Sequence, residues 1–169
     1  MRHRSMATLL LLFALPLSHW PTGALPTTVF VVRHAEKGPE PEDPGLTDEG
    51  RRRAVELARV LQDARINALF ATQFKRTGET LAPLAAALRT KPVLLAAADL
   101  NGLIARLQAL PPGSRAVVAS HSNLVHLIVA RLSGIRLPQL TDADYDRLFV
   151  VTITGKGTGS AVVLRFGEK

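Results

Sequence analysis

The sequence of 169 residues contains no cysteine, and only 5% of its residues are aromatic. Without cysteine the chain can form neither a disulfide framework nor a thiolate metal site, and it cannot use a cysteine nucleophile. An apolar run at residues 6–17 is too short to cross a bilayer core, which takes about 20 helical residues. Hydrophobic residues make up 47% of the chain and charged residues 21%, which argues against disorder and predicts one globular domain.

Residues 1–24 have the pattern of a secretory signal peptide. Arg2 and Arg4 precede the apolar run, and small residues at 22–24 provide a cleavage site. We therefore expect cleavage after residue 24, a functional domain at residues 25–169, and a periplasmic or secreted protein. No cysteine follows the apolar run, so we expect neither a lipid anchor nor another stable membrane anchor after cleavage.

Basic residues outnumber acidic ones by 21 to 14, but they are scattered along the chain. The single cluster is Arg51-Arg52-Arg53, and on a helix these side chains would point about 100° apart. They are thus expected to form a solvated surface and not a stripe that follows a phosphate backbone. Few aromatic residues are present for stacking on bases, so we expect no nucleic-acid partner.

Strand and helix patterns alternate after residue 26. Thr27–Arg33 (TTVFVVR) and Arg115–Ser120 (RAVVAS) are apolar, β-branched runs typical of buried strands. Thr47 is a good N-cap for a helix that follows it. The remaining predicted elements are a strand at 68–71, helices at 77–89, 101–110 and 123–132, and a terminal pair of strands at 148–154 and 160–166. This alternation predicts an α/β sheet with parallel pairs.

Histidines follow both of the clearest strands. His34 comes directly after the first and His121 after the second, while Arg33 and Arg76 lie at strand ends as well. Because the carboxyl ends of parallel strands form the ligand-binding edge of such sheets, these four residues could converge there. Forked arginine donors suit a dianionic phosphoryl group, and a neutral imidazole is a competent nucleophile. The alternative is that both histidines merely cap strand ends.

Four blocks of the sequence resemble the motifs of the histidine phosphatase (phosphoglycerate mutase-like) superfamily. They occur in the order expected for that family and span almost the whole of residues 25–169. The blocks are VRHAEK at 32–37, LTDEG at 46–50 running on to Arg53-Ala54, Arg76-Thr77 with Thr80, and VASHSN at 118–123. The resemblance implies a three-layer α/β/α sandwich with a mostly parallel central sheet, in a small exported member of the family.

The resemblance also implies roles for individual residues. His34 would be the phosphorylated nucleophile, Arg33 and Arg76 would bind the phosphoryl group, and His121 would complete the pocket. Ser120 stands where the family commonly has glycine, and a serine fits there if its backbone stays in an ordinary region.

Two further assignments stay open. Asp99 is the proton-donor candidate, because it is the one carboxylate in the segment where one branch of the family places this group; it could equally be the N-cap of a helix. Lys37 could bind substrate or pair with Glu36.

These observations predict a metal-independent phosphomonoesterase, a histidine acid phosphatase-type hydrolase that acts through a phosphohistidine on His34. We expect no cofactor, because arginines take over the charge stabilisation that metal ions provide elsewhere. The substrate could be a phosphorylated small molecule, an envelope sugar phosphate or a phosphoprotein, and the loop at 38–45 would form the rim of the site. The alternatives are a non-catalytic phosphate- or anion-binding module and a cytoplasmic phosphohistidine protein phosphatase.

Overall fold

The computed structural model describes residues 25–167. The signal peptide predicted for residues 1–24 lies outside them and stays a prediction. No helix in the described range is both long and apolar enough to cross a membrane. In chain order the elements are β1 Thr27–Arg33, α1 Asp48–Leu61, β2 Ala68–Thr72, α2 Lys75–Ala87, β3 Val93–Leu95, α3 Leu100–Gln108, β4 Arg115–Ser120, α4 Ser122–Ser133, β5 Arg147–Gly155 and β6 Thr158–Arg165.

One sheet of six strands, in the order β3-β2-β4-β1-β5-β6, forms the middle of the fold. The pairs β2–β3, β2–β4 and β1–β4 are parallel, whereas β1–β5 and β5–β6 are antiparallel. The four parallel strands are connected through helices, and the antiparallel pair β5–β6 is a hairpin added at one edge. The predicted sandwich with a mostly parallel sheet is confirmed.

Helices cover both faces of the sheet. The core on one face contains Leu57 and Leu61 of α1 with Leu81 and Leu84 of α2. The core on the other face is built around α3 and α4, and Ile128 is among its fully buried members. The strands between these cores are buried on both sides, which explains why β1 and β4 read as nearly continuous apolar runs.

The register of β1 against β4 fixes the edge at which the predicted site lies. Arg33, the last residue of β1, is paired with Ser120, the last residue of β4. The next residue, His34, donates its backbone amide to the Ser120 carbonyl at 2.8 Å. His34 and His121 therefore leave the sheet side by side.

The segment after His34 is held against the start of α1. Thr47 caps α1 by accepting the Gly50 amide at 3.1 Å, as predicted, and its own amide donates to the Glu36 carbonyl at 2.9 Å. A Cβ atom on Gly50 would lie 2.2 Å from that carbonyl oxygen. The LTDEG block thus needs glycine at this position because the two backbones approach so closely.

The expectation that all three arginines of the Arg51-Arg52-Arg53 cluster are solvated was wrong for Arg53. The first two are exposed, but Arg53 is 7% exposed and its Nε donates to Glu36 Oε1 at 2.7 Å. Its Nη1 also donates to the Phe166 carbonyl at 3.1 Å. Since neighbouring helix residues point in different directions, one member of the cluster faces the protein interior.

Arg53→Ala should lower the stability of the protein markedly, because it leaves the carboxylate of Glu36 largely buried without this partner. Breaking a buried ion pair on one side costs about 3 kcal/mol or more, which corresponds to a fall of roughly 6 to 12 °C in the melting temperature of a domain of this size. The matched control is Arg52→Ala on the exposed face of the same helix. Equal melting temperatures for the two variants would contradict this account of Arg53.

Candidate active site

An open cleft lies at the carboxyl ends of β1, β2 and β4. It contains both strand-end histidines, together with side chains from the loops that follow these strands. The residues that line it are Arg33, His34, Lys37, Phe74, Arg76, Ala97, Ala98, His121, Ser122, Asn123, Leu124 and Asp142.

His34 is 4% exposed and lies 5.5 Å from His121 between ring centroids. Its Nδ1 is 2.8 Å from the carbonyl oxygen of Ala35. A carbonyl can only accept a hydrogen bond, so in the neutral ring Nδ1 carries the proton and Nε2 carries the lone pair. Burial lowers the pKa of His34 from 6.5 to about 3; the hydrogen bond to Ala35 opposes this shift, and the charge of Arg33 adds to it. The ring is therefore a neutral potential nucleophile at physiological pH.

His121 is anchored from behind by β2. Its Nε2 lies 2.9 Å from Thr72 Oγ1, which lies 3.0 Å from Thr77 Oγ1. The Thr77 hydroxyl in turn donates to the carbonyls of Thr72, at the end of β2, and Phe74, just before α2. Burial lowers the pKa of His121 to about 4, and Arg76 and Arg33 act in the same direction. His121 is thus neutral at physiological pH.

Ser120 fits at the position where glycine is common in the family that the sequence resembles. It is the last residue of β4, and the non-glycine residues with positive φ in the described part of the chain are Arg65 and Arg89. The Ser120 backbone therefore stays in a region that any residue can adopt.

Arg33 is 4% exposed and is held by the loop before β5. Its Nη1 donates to the Thr141 carbonyl at 2.8 Å, and its Nη2 lies 3.2 Å from the Tyr145 hydroxyl and 3.3 Å from Asp142 Oδ1. The guanidinium also stacks over the Tyr145 ring at 4.0 Å. Its Nε is buried without a partner among the described residues.

Arg76, the second residue of α2, is much less constrained. Within residues 25–167 its guanidinium has an ion pair with Asp43 Oδ1 at 3.7 Å and a contact with the Phe74 ring at 4.4 Å. No hydrogen bond from this guanidinium is seen in the same range, and its Nε is buried and unpartnered. A guanidinium that is 14% exposed, with donors left over, is a ready binding group for an oxyanion.

The backbone around the two histidines is also ordered. The amide of Ala35 donates to Thr80 Oγ1 at 2.9 Å, and that hydroxyl donates to the Arg76 carbonyl at 2.6 Å. Thr80 therefore fixes the loop after His34 to the helix that carries Arg76. His121 is the N-cap of α4, so the first free amides of that helix lie at the cleft and favour an anion there.

The structure brings five of the six predicted site residues together: Arg33, His34, Lys37, Arg76 and His121. Asp99 is not among the residues that line the cleft. Its carboxylate caps α3, where Oδ1 accepts the Gly102 amide at 2.8 Å. Of the two interpretations of Asp99, the structure shows the cap directly.

Sequence reasoning missed several residues around the pocket. Tyr145 and Asp142 contact Arg33 from more than 100 positions away, which no local pattern reveals. Thr72 could have been found, because it ends β2 at the same sheet edge as the two histidines. Asp43 belongs to the loop predicted as the rim.

Within residues 25–167, no three or more histidine, aspartate or glutamate side chains lie close enough together to hold one metal ion.

The depressed pKa values of His34 and His121 predict how stability depends on pH. The unfolded chain takes up these protons near pH 6.5, and the folded protein only near pH 3 to 4. The two neutral histidines therefore make their complete contribution to the free energy of unfolding above pH 6.5, and this contribution is lost as the pH falls towards 4. We expect the double variant His34→Asn/His121→Gln, whose amides can replace the ring hydrogen bonds, to lose less melting temperature between pH 7 and pH 4.5 than the wild type. Parallel loss in both proteins would show that these histidines titrate normally.

Comparison with known proteins identifies a family motif in part of the chain and solved structures with the same fold. A family model, the histidine phosphatase superfamily (branch 1), matches residues 29–99, and none of the curated proteins matches the chain in sequence. The structure of the protein histidine phosphatase SixA complexed with tungstate is similar, with a TM-score of 0.68 and 23% identity over 82% of this chain and 96% of that one.

Two further solved structures share the fold. One is a mycobacterial glucosyl-3-phosphoglycerate phosphatase, with a TM-score of 0.60 and 14% identity over 83% of this chain and 99% of that one. The other is a phosphoglycerate mutase from Plasmodium falciparum, with a TM-score of 0.58 and 18% identity over 85% of this chain and 91% of that one. The motif region at residues 29–99 thus matches the histidine phosphatase superfamily (branch 1), and the chain shares the fold of these structures.

Proposed function

We propose that the protein is a phosphomonoesterase that transfers the phosphoryl group of its substrate to His34 and then to water. The observation that carries the proposal is the state of His34. Its Nδ1–H donates to the Ala35 carbonyl, so Nε2 presents a lone pair in a cleft that also contains two arginines. A neutral imidazole beside cationic donors suits attack on a phosphate dianion.

The reaction has two balanced steps. In the first, the Nε2 lone pair of His34 attacks phosphorus, the bond from phosphorus to the leaving oxygen breaks, and that oxygen takes up a proton from solvent. In the second, water attacks the phosphohistidine, the phosphorus–nitrogen bond breaks, hydrogen phosphate and neutral His34 are released, and one proton returns to solvent. Arg33, Arg76 and the first amides of α4 would stabilise the oxygens of the transferring group, so the proposal requires no metal or cofactor.

Hydrolysis is favoured over mutase chemistry by the openness of the cleft. Lys37, Asn123 and Asp142 line it and are exposed. Retaining a phosphoryl group for return to a second acceptor would require its shielding from water. The proposal includes export, so the substrate would be a phosphorylated compound met outside the cytoplasm.

A protein-bound phosphohistidine is the second candidate substrate. The exposed residues around the cleft leave room for a macromolecule, and one of the similar structures is described as a protein histidine phosphatase. Such a substrate would be attacked by the same Nε2 of His34, with an imidazole as the leaving group in place of an oxygen.

His34→Ala should abolish turnover of nitrophenyl phosphate and leave the melting temperature close to that of the wild type. Labelled substrate should yield an acid-labile, base-stable phosphoenzyme in the wild type and none in the variant. The assay contains EDTA, because no metal is required. His126→Ala is the control, since His126 lies on α4 outside the cleft lining. A folded His34→Ala protein that keeps its activity would refute the covalent mechanism, and phosphate binding without turnover in the wild type would identify an anion-binding module.

Asp99 should prove to be a helix cap and not the proton donor. Asn caps about as well as Asp, so Asp99→Asn should leave both an alkyl phosphate and nitrophenyl phosphate nearly unaffected. Asp99→Ala removes the cap and should cost about 1 kcal/mol, or roughly 2 to 4 °C in melting temperature. A general acid would behave differently: its loss would slow the alkyl phosphate about 100-fold or more and spare the nitrophenyl ester.

A further inference from the structure

Each arginine of the cleft has a carboxylate beside it on the solvent side. Asp142 lies 3.3 Å from Arg33 and its side chain is fully exposed, while Asp43 lies 3.7 Å from Arg76 and is about one-third exposed. The two carboxylates come from different loops, one before β5 and the other between β1 and α1. We call Asp43 and Asp142 the rim carboxylates.

The arginines do not depend on the rim carboxylates alone to hold their positions. Arg33 is held by the Thr141 carbonyl and Tyr145 without Asp142, and Asp43 already accepts the Lys75 amide at 3.0 Å. Meanwhile the Nε atoms of both arginines are buried without a partner in the described part of the chain. The arginines thus have donors for a ligand, while Asp142 lines the cleft and Asp43 lies beside Arg76 just outside the lining.

The charges around the cleft do not balance once a phosphate is bound. Arg33, Arg76 and Lys37 supply three positive charges, and the rim carboxylates supply two negative ones. The histidines are neutral at physiological pH, so the net charge is one positive. A phosphate dianion reverses it to one negative.

We propose that the rim carboxylates select phosphate monoesters whose organic part carries a positive charge. This inference rests on the proposed function and specifies its substrate class. A cation that leaves the pocket beside the phosphoryl group would meet Asp43 and Asp142 and restore neutrality. An organic part that carries further negative charge would be repelled by the same groups, so they act by both attraction and exclusion.

Choline phosphate and 3,3-dimethylbutyl phosphate test the proposal, since they have nearly the same shape and differ in one positive charge. We expect the wild type to favour choline phosphate by about 3- to 10-fold in kcat/KM, the range of two partly exposed charge pairs. Where turnover is slow, the competitive inhibition constants against nitrophenyl phosphate give the same ratio. The preference should shrink in high salt, because exposed charges are screened.

The double variant Asp43→Asn/Asp142→Asn should reduce the preference to about one. Asparagine keeps an acceptor for the Lys75 amide and for Arg33 but removes the charge. The control is Asp63→Asn, an exposed acid just after α1 and outside the cleft lining, which should keep the wild-type ratio. The neutral ester reports on the integrity of the pocket in every variant.

The outcomes separate this inference from the proposed function. Turnover of nitrophenyl phosphate without any preference between the two probes would overturn the role of the rim and leave the phosphatase intact. The role of the rim is also overturned if the double variant keeps the preference or lowers KM equally for both esters, since the carboxylates would then only compete with phosphate for the arginines. A wild type without turnover or phosphoenzyme would refute the proposed function, and the inference with it.

Discussion

The parallel pairing of β1 with β4 is the constraint on which the site depends. Because Arg33 and Ser120 are register partners, the residues that follow them leave the sheet at the same level, and the two imidazoles meet with centroids 5.5 Å apart. The parallel neighbour β2 adds Thr72 at that edge, where it contacts His121. A shift in this register would separate the two histidines and would also break the contact between Thr72 and His121.

The same arrangement determines the electrostatics of the cleft. Strands buried on both faces bring His34 and His121 out of water, and the arginines that accompany them disfavour any further positive charge. Both rings therefore stay neutral although they lie in a cationic pocket. For a nucleophile this is an advantage, since the lone pair on Nε2 of His34 is not lost to a proton at neutral pH.

The sequence predicted the parts of the structure that depend on local patterns. β1 and β4 have the expected bounds because uninterrupted β-branched runs are specific to buried strands, and the Thr47 cap depends on residues only three positions apart. β3 was missed because it has three residues and Val93 and Leu94 are exposed, so it lacks a pattern. The burial of Arg53 and the contacts of Arg33 with the loop before β5 are set by tertiary packing between distant segments, which composition and periodicity do not encode.

Arg33 and Arg76, for which the sequence predicts the same role, differ in how the protein holds them. Arg33 is fixed by a carbonyl, a hydroxyl and an aromatic face from one loop, so its orientation is set before any ligand arrives. Arg76 has only an ion pair and a ring contact among the described residues, so its donors can adjust to an incoming oxyanion. In the proposed reaction, the fixed guanidinium would define where the phosphoryl group lies, and the adaptable guanidinium would follow its charge as it moves towards His34. This division of roles costs less ordering on binding than two unrestrained arginines would, and it keeps a free donor for the transferring oxygens.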